Sequence, residues 1–210
     1  MKITKFVHSC LLVETPDRVA IFDPGVYSAE AFDVDSLTRL DDIFVTHVHG
    51  DHCDPEFIKR LIAKFPTVRI TTTEEAAAKL LAEGIKATTT PPTGATFFDS
   101  PHESIAPLIA TPPQEIGVHY LDALSHPGDS HSFKETKAIL ALPVQAPWGS
   151  SARAIQLVLE LKPQHVLPIH DWHWRDEARE LMYERFEQVF SDNGIRFYKL
   201  QTGQPVEIAA

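Results

Sequence analysis

Ten residues constrain this chain more than any others: THVHGDHCDP, residues 46–55, sets His47, His49, Asp51 and His52 within six positions. Imidazoles crowded this closely repel once protonated and gain little by packing on one another, so core formation does not account for them. His47 and His49 stand two apart just past the apolar run DDIFVT, and in extended chain both rings point the same way. Asp51 and His52 fall where a helix begins and turn toward a second point in space. One tetrahedral ion does not readily take four ligands from six residues. Two divalent ions side by side can, with HxH serving one and DH the other. Imidazole and carboxylate donors without cysteine suit Zn²⁺, and also Mn²⁺ or Fe²⁺.

The segments around the motif alternate between strand and helix signals. KITKFVH, CLLVET and RVAIFDPG read as strands, with TPD turning between the second and third. Asp54 is placed as an N-cap with Pro55 at the first helical position, and Phe57, Ile58, Leu61, Ile62 and Phe65 form one helical face. After the strand VRITTT, Thr73 caps a second helix that Gly84 stops. Residues 85–145 read as strand and proline-rich loop, with KAILALPV as a buried strand. SSARAIQLVLEL is an amphipathic helix closed by Pro163, HVLPIHD a strand, DEARELMYERFEQVF a surface helix, and IRFYKL and PVEIA short closing strands. Strands and two helices thus occur twice over. That order fits two sheets packed face to face with helices outside, an α/β four-layer sandwich. A doubly wound parallel sheet competes, but the opening hairpin counts against it.

Length and composition set outer bounds. A chain of 210 residues with 43% hydrophobic and 23% charged residues is read as one domain, 1–210, with a real core. Its two cysteines, Cys10 and Cys53, cannot make a disulfide framework. The polar start resembles no signal peptide, and no apolar run reaches membrane-spanning length, so a cytoplasmic protein without membrane contact is expected. The formal net charge of −10 argues against a nucleic-acid partner, which needs clustered Lys and Arg. Oligomeric state is not legible.

HSCLLVE, IFDPG, THVHGDH, HPGDS, ALPVQAPW and LPIHD together resemble, over nearly the whole chain, the metallo-β-lactamase superfamily. Within it the chain is similar to compact metal-dependent hydrolases grouped with the ascorbate-phosphate lactonases. The resemblance implies an αβ/βα sandwich with two metals at one edge between the sheets. It nominates His47, His49 and His102 for the first metal, Asp51, His52 and His170 for the second, and Asp129 as the bridge. His119 is read as a structural strand residue and His173 as a loop residue. His8 lies either near the site or in plain core. His126 is a candidate for the pocket wall, and Asp23 for a turn or for orienting a ligand histidine through its other N–H. Cys53 at a helix N-terminus is either a thiol of lowered pKa or a buried small hydrophobe. Trp148 and Trp172 either wall the pocket or simply pack.

The expected chemistry is hydrolysis by a metal-bound hydroxide on an ester, lactone, amide or phosphodiester of a small molecule, with Asp51 orienting the nucleophile or taking its proton. No G-x-S-x-G elbow offers a protein nucleophile instead. Iron-dependent oxidoreductase chemistry on the same fold is the first alternative. A nuclease is the second, disfavoured by the acidic charge.

Overall fold

The opening hairpins form as their alternation requires. β1 (Lys2–Lys5), β2 (Leu11–Glu14) and β3 (Val19–Phe22) are consecutive antiparallel strands. The TPD turn between the latter two is closed by the Thr15 amide on the Arg18 carbonyl at 2.8 Å. A 3-10 turn at Val34–Ser36 leads into β4 (Asp42–Phe44), which pairs parallel to β3. α1 (Pro55–Lys64) begins under the Asp54 cap, whose side chain accepts from the Glu56 amide. β5 (Arg69–Thr71) adds parallel to β4, and α2 (Glu74–Ala82) starts at Thr73, whose hydroxyl accepts from the Ala76 amide. Gly84, at φ +78°, supplies the left-handed residue that ends it.

The second half builds another sheet from β6 (Ala95–Phe98), β7 (Gly117–Tyr120), β8 (Leu124–His126), β9 (Ile139–Pro143), β10 (His165–Ile169) and β11 (Arg196–Phe197). α3 (Ser151–Leu161) and α4 (Asp176–Ser191) pack on it. β12 (Pro205–Glu207) then crosses back to pair antiparallel with β1. The sheet orders are β12-β1-β2-β3-β4-β5 and β11-β10-β9-β8-β7-β6. This excludes the single doubly wound sheet. The structure, a computed structural model, describes residues 1–209.

Side-chain parity sorts three apolar layers. Leu11, Val13, Ala20 and Phe22 point between the sheets, where they meet Val118, Tyr120, Ile139, Ala141, Leu167 and Ile169. Their neighbours Leu12, Ile21 and Ile43 point the other way, onto Phe57, Ile58, Leu61 and Leu80 of α1 and α2. Leu140, Leu142 and Val166 likewise face Leu157, Val158, Phe186 and Phe190 of α3 and α4. Strands buried on both faces explain why KAILALPV reads as continuously apolar. The result is the four-layer sandwich.

Strand direction decides where chemistry collects. β1, β3, β4 and β5 run one way in the first sheet, and β6, β8, β9, β10 and β11 share a direction in the second. His8, Asp23, the 46–55 motif, His102, Asp129 and His170 all follow the carboxyl ends of such strands. Loops from both sheets therefore converge on one edge of the sandwich.

Candidate metal centre

Two interlocked loops form one wall of this edge. The Val26 amide donates to the Gly50 carbonyl at 2.9 Å and the Asp54 amide to the Pro24 carbonyl at 2.9 Å. Within the motif, the His52 and Cys53 amides both reach the His49 carbonyl, at 3.1 and 2.8 Å, tightening the turn before α1. Asp23 ties the loops to β4: its carboxylate accepts from the Thr46 amide at 2.7 Å and the Thr46 hydroxyl at 2.9 Å. The facing wall meets the first across the two sheets, where the His170 amide donates to the His8 carbonyl at 3.2 Å. Val7, His8, Asp23 and His170 hold positive φ of 47°, 56°, 47° and 60°. Left-handed backbone is costly for non-glycine residues, most of all for β-branched Val7, and its concentration here marks strain held at a functional edge.

The side chains gather into two groups. His47, His49, His102 and Asp129 offer donor atoms within 4.8 Å of one another, as do His8, Asp51, His52 and His170. Asp129 joins the groups. One of its oxygens lies 3.0 Å from His52 Nε2; the other lies 3.1 Å from His170 Nε2, 3.8 Å from His102 Nε2 and 4.0 Å from His47 Nε2. The seven residues nominated from sequence thus come together. His8, left between site and core, joins them: it is wholly buried, with Nε2 3.1 Å from Asp51 Oδ2.

A further set of contacts fixes the rings. His52 Nδ1 faces Asp23 Oδ2 at 2.7 Å, and His47 Nδ1 faces Glu115 Oε2 at 3.0 Å. His170 Nδ1 reaches the Gln145 carbonyl at 2.7 Å, and His102 Nδ1 the Glu103 carbonyl at 2.6 Å. Each of these four imidazoles has an acceptor behind it for Nδ1–H, which leaves the Nε2 lone pair facing the centre. His49 presents Nδ1 instead, 3.1 Å from His47 Nε2. Buried His102 Nε2 has no hydrogen-bond partner among the described residues, and His52 Nε2 and Asp129 Oδ1, though 3.0 Å apart, are not aligned for a hydrogen bond with each other or with any other described group. Converging, buried and unsatisfied donor atoms of imidazole and carboxylate type fit divalent cations.

The electrostatics point the same way. Burial alone would strip the proton from His52, but Asp129 and Asp23 outweigh it and push its pKa well up. His170 is raised against burial by Asp129. Burial opposes the charge on Asp129, yet His170 and His52 hold its carboxyl well below the usual range. His47 shifts well down, through burial and then the charge at His52. The upward pull on His52 and His170, against the downward shifts of His8, His47 and His49, marks the surroundings of Asp129 as the spot where positive charge, which bound cations would supply, is favoured.

Glu115 escaped the sequence reading. It is buried ahead of β7, accepts from the Asp129 amide at 2.9 Å, and its carboxyl is pushed well up by burial and by Asp129. Gly128 makes room for it, since a Cβ there would stand 2.8 Å from the Glu115 carboxyl group. Nothing in PPQEIGV marks a site; only position in space does. Trp148 is part of the wall, donating from Nε1 to Asp129 Oδ2 at 3.1 Å. His173, read as a loop residue, lines the cleft too. Trp172 instead stacks on Tyr27 with ring centroids 4.0 Å apart. His126 is buried behind the centre, its Nε2 3.2 Å from the Ser9 carbonyl. His119 stays on β7, bonded to the Ser125 hydroxyl at 2.9 Å, away from both groups. Cys53 is wholly buried, and burial pushes its thiol up to about 11, so the lowered-pKa reading is corrected.

A family model described as "Beta-lactamase superfamily domain" matches residues 2–170. The chain is 30% identical over 212 residues to protein Rv0786c of Mycobacterium tuberculosis, covering 90% of this chain and 92% of the relative. Among solved structures it resembles Igni18, a metallo hydrolase from the archaeon Ignicoccus hospitalis, with TM-score 0.71 at 16% identity over 98% of this chain and 97% of that one. It also resembles CmlA, a diiron β-hydroxylase from Streptomyces venezuelae, with TM-score 0.65 at 12% identity over 99% of this chain and 54% of the other. Among the described residues no helix is long and apolar enough to cross a membrane.

Proposed function

The chain belongs to the beta-lactamase superfamily, and from that premise we propose that it is a binuclear metal-dependent hydrolase acting on an ester, lactone, amide or phosphodiester bond of a small molecule. One observation carries the reading: Asp129 lies at the junction of two four-residue clusters, its oxygens 3.0 and 3.1 Å from His52 and His170 and 3.8 Å from His102. His47, His49 and His102 would hold one ion, His8, Asp51, His52 and His170 the other, and Asp129 would bridge. The donor set suits zinc best, with manganese or iron as alternatives. Such ions, when bound, supply a water-derived nucleophile at neutral pH and a Lewis acid for the oxygen that gains charge.

The chain's own groups do the rest. Asp23, Glu115 and the Gln145 and Glu103 carbonyls keep the imidazoles in one tautomer and one orientation. Asp51 has a side chain 25% exposed, so it can meet a water molecule at the cleft. Burial works against its charge, but the His8 hydrogen bond and then His52 hold its carboxyl well below the usual range. It is therefore a carboxylate that can accept a hydrogen bond from that water and pass its proton on rather than keep it. In hydrolysis the water oxygen bonds the acyl carbon and the carbon–oxygen bond to the leaving group breaks. Asp51 takes the water proton and returns it to the leaving oxygen.

The test combines elemental analysis of the purified chain with an ester and lactone panel in ¹⁸O-labelled water. Two ions per chain and label in the product acid are expected. Turnover that needs dioxygen, or product without solvent oxygen, moves the chain to the iron oxidoreductase reading. The fold likeness to a diiron hydroxylase and the His and carboxylate donors favour that as the second choice.

A further inference from the structure

The cleft over the two clusters has a volume of about 320 Å³, enough for a small molecule. Its floor is the histidines and aspartates already described. The rest of its wall is apolar: Ile105 and Ile109 from the segment before Glu115, and Pro147 with Trp148 from the loop after β9. Ile109 is 38% exposed, an apolar side chain left in water on the wall of the cleft, and Leu108 beside it in the chain is 81% exposed. Apolar surface rimming a polar centre is what the non-reacting part of a ligand covers.

Charge narrows the ligand further. Among the described residues, no lysine or arginine lines the cleft. Arg153, in the neighbouring hollow beyond Trp148, is spent on the His131 carbonyl and Glu160, both at 3.3 Å. Lys79 is spent on the Val48 carbonyl at 2.9 Å. A phosphate or second carboxylate on the non-reacting part of the substrate would find no cationic side chain there. The ions' positive charge would be concentrated at the floor, on the reacting group and offset by Asp51 and Asp129, and away from it the anion would face a chain of formal charge −10.

We propose that the substrate is an electrically neutral ester or lactone carrying an apolar arm of several carbons, and that Ile105, Ile109, Pro147 and Trp148 set this specificity. The proposal rests on the hydrolase reading for its chemistry but on the cleft wall for its selectivity. It places phosphorylated lactones and phosphodiesters outside the substrate range.

The metal-loaded protein is assayed on phenyl acetate, butanoate, hexanoate and octanoate and on the anionic monophenyl succinate. Calorimetry in parallel measures binding of acetate, butanoate, hexanoate and succinate. kcat/KM should rise about two- to fourfold per added methylene until the arm outgrows the cleft, chiefly through KM, and carboxylate affinity should rise in step. Monophenyl succinate should trail phenyl butanoate by tenfold or more, and succinate should bind more weakly than butanoate. Ile109→Asp should flatten the chain-length series, Ile109→Leu should keep it, and Ile109→Arg should improve the succinate ester. A flat series, or a preference for the anionic ester and succinate, overturns the proposal. If neither these esters nor the lactones of the labelled-water panel are hydrolysed, the reading as an ester or lactone hydrolase fails by itself. Calorimetry then decides the cleft: tighter binding of longer carboxylates upholds it, and equal binding sinks it.

Discussion

A Cβ placed on Gly25 would lie 1.7 Å from the carbonyl oxygen of Asp51 and 2.6 Å from the amide nitrogen of His52. All of the nearest atoms are backbone, so no side-chain rotation relieves the clash. Gly25 is therefore the residue that lets the FDPG loop lie against the metal-ligand loop. Gly25→Ala should push those loops apart, cost about 2–3 kcal/mol or more, and bring metal content well below that of the wild type. Thermal melts and elemental analysis of the purified variant check this, and wild-type values in both would refute it.

His8 is wholly buried, and burial lowers its pKa to about 4, so it is a neutral imidazole at working pH. Its Nδ1 has no hydrogen-bond partner among the described residues, while Nε2 faces Asp51. As a member of the second cluster, it should be needed for that ion alone. His8→Ala should keep one tightly held ion and lose the other, with activity down about 10- to 100-fold. His102→Ala should instead empty the first cluster, and His119→Ala should keep both ions. Full metal content in His8→Ala would return the residue to the core.

Asp51→Asn preserves the shape of the side chain and removes its charge. Turnover should fall about 10²-fold or more while metal affinity falls modestly, because the lost function is proton transfer more than binding. Single-turnover kinetics on a fully metal-loaded sample separates the two. Unchanged turnover with full metal would strip Asp51 of the catalytic role.

His47, His49, Asp51 and His52 were legible from residue type and spacing alone, because they sit in one compact motif at a strand end; His102, Asp129 and His170, scattered on later loops, were nominated only through the family resemblance. HxHxDH needed no fold to be read as metal-ligating. His8 was left ambiguous because a lone histidine at a strand end looks the same whether it faces core or site. Glu115 was missed because its function comes from the crossing of the Thr46 and Asp129 loops, a relation that no local pattern encodes. The Cys53 alternatives separated only once its burial was known: the helix N-terminus is there, but removal from water dominates. β12 illustrates the same limit at the level of topology. PVE is legible as a short strand, yet its partner β1 lies at the other end of the chain.

Asp42 offers a pH test away from the metal clusters. It is wholly buried at the start of β4, and neither oxygen has a hydrogen-bond partner among the described residues. Arg18 Nη2 lies 3.3 Å away. Burial pushes the carboxyl above its ordinary value of 3.8, and Arg18 offsets only part of this. The folded chain then binds this proton more tightly than the unfolded chain. The group's favourable contribution is complete below 3.8 and is lost as pH rises through the raised folded value. Asp42→Asn should therefore be more stable than the wild type near pH 7, with the gain vanishing below 3.8. Melting temperatures across that range measure it. A variant less stable near neutrality would mean that the Arg18 attraction outweighs desolvation.

Directly after the ligand-position His170, Asp171 is buried with Lys5, whose Nζ donates to Asp171 Oδ2 at 2.6 Å and to the Tyr183 hydroxyl at 3.0 Å. Tyr183 in turn donates to the same carboxylate oxygen at 2.5 Å. The trio joins β1, the loop after β10 and α4, so it fixes the chain on which His170 adopts its left-handed conformation. Burial drives the Lys5 pKa down while Asp171 pulls it back, which shows how closely desolvation and attraction compete in this pair. Such a pair adds little net stability over an apolar replacement, whereas removing Lys5 leaves the buried carboxylate only the Tyr183 hydroxyl and Arg179, whose Nε is 3.9 Å away. Lys5→Met should therefore cost about 3 kcal/mol, the low end for breaking a buried pair. Lys5→Met/Asp171→Leu/Tyr183→Phe should recover most of that loss, since all three polar groups leave together. Denaturant melts of both variants and the wild type give the comparison, with metal content as a second readout. If the triple variant melts like the wild type but binds metal more weakly, the trio serves to position His170. If it binds metal equally well, the trio is a structural tie and nothing more. A single Lys5→Met variant as stable as the wild type would show that the carboxylate is not left uncompensated, and the account of the trio would fail.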